Sequence, residues 1–221
     1  MGKSKVFEKV CLIDIDGTLL ESFKSIYTSA IEEIFGYSKL AMRLNKFFYN
    51  INDYDVISNT MGIFKLVIFI LSVVSCTSFK KNLKKFEELY IEKSKREIIY
   101  NYESIVIPIE KRGYKVFLIT HDEYARRFNA FIPTDIIVTK SKTLYVFEKL
   151  RDVDIMYMIG NNLCDDLIPA IMLNKKYKKI GRNCKVVPIY IGTSNIVKRI
   201  LKKKILSFKR ISSVLDVIKK R

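Results

Sequence analysis

The chain has 221 residues, 49% of them apolar and 29% charged, with a formal charge of +17. That is enough length and apolar content to bury a full core, which excludes disordered and fibrous classes and predicts one domain, or one domain carrying an insertion. The charge is uneven, because Lys175 to Arg221 holds 16 Lys/Arg against Asp216 alone.

At the N-terminus, MGKSKVFEKV has basic residues but no uncharged h-region or cleavage site, so no signal peptide is expected. Met1-Gly2 is a poor myristoylation match, since position 6 is Val6. Val6 to Ile13 is apolar, β-branched and short, which predicts a buried strand of a parallel sheet. It runs into Asp14 and Asp16, two residues apart, with Gly17 permitting a sharp turn and Thr18 after it. Ligands of open α/β sheets bind beyond the carboxyl ends of strands. Two carboxylates this close repel unless a cation or shared proton intervenes, which points to a hard metal such as magnesium.

Ser22 to Phe35 spaces Phe23, Ile26, Tyr27, Ala30, Ile31 and Ile34 as an amphipathic helix, with Gly36 as its stop. Tyr37 to Asn101 has no proline and only Gly62, and it alternates apolar runs with polar breaks at Asn50 to Asp55 and Thr77 to Lys81. This predicts a small helical bundle between two strands. Ile63 to Val74 is its most apolar run, but it is shorter than the roughly 20 residues a membrane span needs and contains Lys65. It reads as a buried helix or as a face of a homodimer contact, with no membrane span. A membrane-associated hairpin is the other reading.

Strands are expected at Tyr114 to Thr120, Asp135 to Val138, Ile155 to Ile159 and Val186 to Ile191, and helices at Thr143 to Leu150 and Leu163 to Asn174. The alternation predicts an α/β fold with a doubly wound parallel sheet. Ile196, Val197, Ile200, Leu201 and Ile205 underlie the basic run as an amphipathic helix, and Ile211 to Lys219 is a last helix packing Val214, Leu215 and Ile218. Cys11, Cys76, Cys164 and Cys184 form no CxxC or Cys/His spacing, which gives no zinc site or disulfide framework and a reduced, cytoplasmic setting as the expectation.

Polar groups end the strands: Asp14 and Asp16, Thr120, Lys140, and the loop Gly160-Asn161-Asn162-Leu163-Cys164-Asp165-Asp166. Together they suit metal-assisted phosphoryl transfer. His121 is the single histidine, and no GxSxG elbow exists to partner it.

DIDGT at a strand end, then LIT, an isolated lysine and GNNLCDD, resembles the haloacid dehalogenase-like (HAD) hydrolases in order and spacing over nearly the whole chain. The resemblance implies a Rossmann-like core at residues 1–21 and 105–221 with a helical, C1-type cap at 22–104. It also implies an aspartyl-phosphate on Asp14, with Asp16 as general acid and then base. Thr120 would bind a phosphoryl oxygen, and Lys140, with Lys142 in reserve, would offset charge. Thr18 and His121 would join Thr120 and Lys140 in lining the substrate pocket. Mg2+ would be held by Asp14, Asp16, Asn161 and either Asp165 or Asp166. An aspartate at position 16 points to a phosphatase or phosphotransferase rather than a dehalogenase, here acting on a small phosphorylated metabolite. Asn161 departs from the family's usual aspartate, which removes a charge from the metal loop. A nucleic-acid partner or polynucleotide-end processing through the basic C-terminal segment is the alternative.

Overall fold

A computed structural model describes residues 9–36, 39, 42–43, 60–150, 153–201 and 205–218. The first strand, β1 (Lys9–Asp14), is buried along almost its whole length, as its apolar sequence requires of a strand covered on both faces. Five more strands follow: β2 (Lys115–Thr120), β3 (Asp135–Val138), β4 (Ile155–Gly160), β5 (Lys185–Ile191) and β6 (Leu206–Phe208). All pair in parallel in the order β3-β2-β1-β4-β5-β6. This is the strand order of a Rossmann sheet, and the fold is a doubly wound α/β fold. β1 lies at the centre between β2 and β4, where the chain changes direction across the sheet, and Asp14 is its last residue.

Strand alternation sorts side chains to two cores. Cys11, Ile13, Val116, Leu118, Ile159 and Ile189 face one layer. Into that layer pack helices α1 (Phe23–Phe35), α2 (Thr60–Val74) and α3 (Phe79–Asn101), and Ile211, Val214 and Ile218 near the C-terminus. Val10, Leu12, Phe117, Ile119, Met156 and Met158 face the other layer, against α5 (Lys142–Lys149) and α6 (Ile168–Lys179). The apolar cluster runs without a break from the sheet into α1, α2 and α3.

Helix α3 does not stop at Asn101. It continues through a wide π-type turn, Tyr102–Val106, into α4 (Ile107–Lys111), and then turns at Gly113, φ 87°, into β2. A second wide turn, Leu163–Leu167, precedes α6. Pro108 and Pro169 each sit just after such a turn. A proline ring clashes with the carbonyl four residues back and offers no N–H, and local widening relieves both problems. Two contacts tie the insertion to the loop after β1. Asn101 Nδ2 donates to the Leu19 carbonyl at 2.6 Å, and Glu97 accepts from the Ser22 backbone N–H at 3.1 Å and from its hydroxyl.

Several boundaries differ from expectation. The apolar run at 63–74 is half-covered rather than buried: Phe64, Val67, Ile68 and Leu71 face the core, while Leu66, Phe69, Val73 and Val74 are exposed. No helix among the described residues is long and apolar enough to cross a membrane. The basic helix is α7 (Asn195–Leu201), in which Val197 is buried but Ile200 is exposed, so its packed face is narrower than the spacing predicts. Lys202 to Lys204, Val6 to Glu8 and the polar break at Asn50 to Asp55 lie outside the described residues. The last segment is a short 3-10 turn, Ile211–Asp216, which still buries Ile211 and Val214.

Candidate active site

The loop after β1 folds back tightly on itself. Leu19 N–H donates to the Asp14 carbonyl at 3.2 Å, Leu20 N–H to the Ile15 carbonyl at 2.8 Å, and Gly17 N–H to the Leu20 carbonyl at 2.9 Å. Gly17 has φ 81°, and a β-carbon there would lie 2.1 Å from Asn161 Nδ2, so only glycine fits. This close approach places the Asn161 amide against the loop that carries Asp14 and Asp16.

The lysine of the site is Lys142, not Lys140. Lys140 is exposed, in the turn after β3. Ser141 caps α5, its hydroxyl accepting the Leu144 N–H, so the next residue enters the helix facing inward. Lys142 is 3% exposed, and its Nζ lies 2.5 Å from Asp14 Oδ1 and 2.6 Å from Asp166 Oδ1. Of the two later acids, Asp166 is in the site, with Oδ2 accepting the Asn162 N–H at 3.0 Å. A β-carbon on Gly160 would fall 2.1 Å from the Asp166 carboxyl carbon, so the glycine makes room for that carboxylate. Asp165 turns aside and pairs with His121 Nε2 at 3.7 Å. The other ring nitrogen of His121, Nδ1, is 2.6 Å from the Thr139 carbonyl. The hydrogen bond with Asp165 raises the His121 pKa above its ordinary value against the effect of burial.

Burial pushes the Asp14 carboxyl up to about 8; Lys142 opposes this shift, and the charge of Asp166 adds to it. Burial works against the Lys142 ammonium too, but Asp14 and Asp166 outweigh it and hold its pKa above the ordinary value. The centre therefore gathers two buried carboxyls around one ammonium.

Around Asp16 the structure shows groups the sequence did not single out. Tyr90 of α3 donates to Asp16 Oδ1, and Tyr124, in the 3-10 segment Glu123–Ala130, donates to Oδ2 at 2.7 Å. The Tyr27 hydroxyl of α1 lies 2.8 Å from that of Tyr124. Burial and the Asp16 charge push Asp122, two residues after the end of β2, up to about 7. Burial also raises the Asp16 pKa, against the bonds from Tyr90 and Tyr124. In all three tyrosines burial keeps the hydroxyl protonated and able to donate.

Thr120, at the end of β2, is buried, and its Oγ1 accepts the Asp122 N–H at 3.2 Å. Thr18 does not line a pocket. It is fully enclosed, and its hydroxyl has no hydrogen-bond partner. An enclosed, unpaired hydroxyl costs stability, whereas a methyl of the same shape does not. Thr18→Val is therefore expected to leave the melting temperature unchanged or raised, and a thermal melt checks it.

Among the described residues, no group of three or more His, Cys, Asp or Glu is arranged to hold a metal. What the site offers is the Asp14 and Asp166 carboxylates, with the Asn161 amide against the Gly17 loop. This all-oxygen donor set, with two carboxylates 2.5–2.6 Å from one ammonium, fits a hard divalent cation.

No family model matches the chain, and no curated protein does. A similar solved structure is described as "Putative beta-phosphoglucomutase from Bacteroides vulgatus", 11% identical, with a TM-score of 0.46 over 98% of this chain and 92% of that one.

Proposed function

We propose that the protein is a magnesium-dependent phosphatase of the HAD-like type, acting through an aspartyl-phosphate on a small phosphorylated metabolite. The observation that carries this reading is the Lys142 ammonium bridging Asp14 and Asp166 at the central strand ends, with Asp16 two residues further on. Strand order supports it, because β1, β2 and β4 are neighbours and bring Asp14, Thr120 and the Gly160–Asp166 loop to one edge.

In this reading a carboxylate oxygen of Asp14 attacks phosphorus. The bond to the leaving oxygen breaks with its electron pair, and that oxygen takes the proton of the Asp16 carboxyl. Lys142 and the Thr120 hydroxyl offset charge on the transferring group. Water then attacks the aspartyl-phosphate, gives its proton to Asp16, and releases phosphate with Asp14 restored. Asp14, Asp166, the Asp16 carbonyl and Asn161 would hold Mg2+, which would supply charge neutralisation of the phosphoryl oxygens. Residues 22–104 serve as the cap that excludes water over the site.

Turnover of 4-nitrophenyl phosphate with and without magnesium tests the reading, together with acid-quench trapping of a phosphoenzyme. The absence of magnesium-dependent phosphate release from this and other phosphomonoesters overturns it. Asn161→Asp adds the charge this loop lacks, so the magnesium midpoint of activity and of thermal stabilisation is expected to move to lower concentration. An unmoved midpoint assigns the ligand role to Asp166 without Asn161.

A further inference from the structure

The carboxyl of Asp16 is held by two tyrosine hydroxyls, one on each oxygen. An ionised carboxylate has about four lone-pair positions. Tyr90 takes one on Oδ1 and Tyr124 one on Oδ2. Tyr90 itself has no freedom to swing. It is fully buried, its ring stacks on Tyr27 at 4.7 Å and 14°, and the ring of Tyr124 meets it edge-on at 4.8 Å. Tyr124 belongs to the segment just after β2, whereas Tyr90 comes from the middle of the inserted helix α3.

We infer that Tyr90 is a positioning residue for proton transfer. Its hydroxyl, fixed by the aromatic stack, aims the Asp16 carboxyl so that a lone-pair position held by neither tyrosine faces the leaving-group oxygen. The inference rests on the phosphatase reading and deepens it, since the insertion then aims the acid as well as covering the site. As Asp16 gives up its proton, charge grows on its carboxylate, and the Tyr90 hydrogen bond strengthens with it. The help is large where the departing oxygen needs a proton and vanishes where it leaves readily as an anion.

The test is a series of ring-substituted phenyl phosphates spanning acidic to weakly acidic phenols, assayed with magnesium. The slope of log kcat/KM against leaving-group pKa is read for wild type and for Tyr90→Phe, which keeps the ring and removes the hydroxyl. The expected result is a steeper slope, with turnover of the weakest-acid phenol falling about 10-fold or more, as for a lost hydrogen bond to a charged group, and the nitrophenyl ester little changed. Phe86→Leu, in the same stack at 5.3 Å from Tyr27 but without a hydroxyl, should shift the whole line in parallel. In an Asp16→Asn background, Tyr90→Phe should leave the slope where it is. An unchanged or merely parallel line for Tyr90→Phe overturns the inference and leaves the phosphatase reading standing. A wild type that hydrolyses no member of the series overturns the phosphatase reading, and the inference with it.

Discussion

Replacing Lys142 with methionine is expected to unfold much of the population and abolish activity, while Lys140→Ala changes neither. Methionine fills the volume but leaves the enclosed carboxyls of Asp14 and Asp166 without the ammonium that bridges them. Removing one partner from a buried ionic group costs about 3–5 kcal/mol, a large share of a domain's stability. Urea unfolding measures the loss. The charge argument makes a second demand: adding Asp14→Asn and Asp166→Asn to Lys142→Met should recover a large part of the stability, because neutral amides need no ammonium. If the triple variant is as unstable as the single one, Lys142 acts through packing rather than charge. Lys140 is exposed, and surface changes away from special features stay within about 0.5 kcal/mol.

The second large effect is on chemistry. Asp14→Asn should reduce phosphate release on the order of 10^4-fold or more, since an amide forms no aspartyl-phosphate. Turnover near wild type would remove Asp14 as nucleophile. The same variant should fold well and change the pH dependence. In the metal-free protein, Asp14 ionises near pH 8 when folded, against an ordinary 3.8. The folded state therefore holds a proton that the unfolded state has released. The stability from that proton is complete below about pH 4 and is lost as the pH rises through 8. Asp122, raised to about 7, and Asp16, also raised, add losses of the same sign. Thermal melts in chelator from pH 4 to 8 should fall for wild type and fall less for Asp14→Asn. Identical slopes would remove the buried-carboxyl explanation.

Periodicity made most of the sheet legible, because the buried strands are short apolar runs, two of which, β1 and β2, end in a polar residue. β6, Leu206–Phe208, escaped notice because three residues between basic runs carry no period. The choice between Lys140 and Lys142 had a usable signal. Lys142 precedes Val146 and Leu150 at four-residue steps, so it lies on the buried stripe of α5. Asp166 likewise leads Ala170, Leu173 and Tyr177, while Asp165 is off that stripe. A charged residue on the apolar face of a helix must meet a partner inside. Tyr90 and Tyr124 were harder, because a tyrosine in an apolar stripe reads as core. Their rings are core, and only the hydroxyl at the tip has polar work. Asp122 stands next to the strand end with nothing in its spacing to set it apart.

The unbroken helical path from Phe79 to Lys111 acts as a lever. Its wide turn at Tyr102–Val106 lies beside the tie from Asn101 to Leu19, which marks the fulcrum. Tyr90 sits about 20 Å along the arm at 1.5 Å per residue. A tilt of about 5° there displaces the Tyr90 hydroxyl by roughly 1.7 Å, more than the width of the hydrogen-bond distance range. The short arm beyond the fulcrum leads straight into β2, whose end carries Thr120. The stack that fixes Tyr90 therefore also locks this arm: a few degrees of rotation at one turn would carry the Tyr90 hydroxyl off Asp16, while Thr120 beyond the short arm would scarcely move.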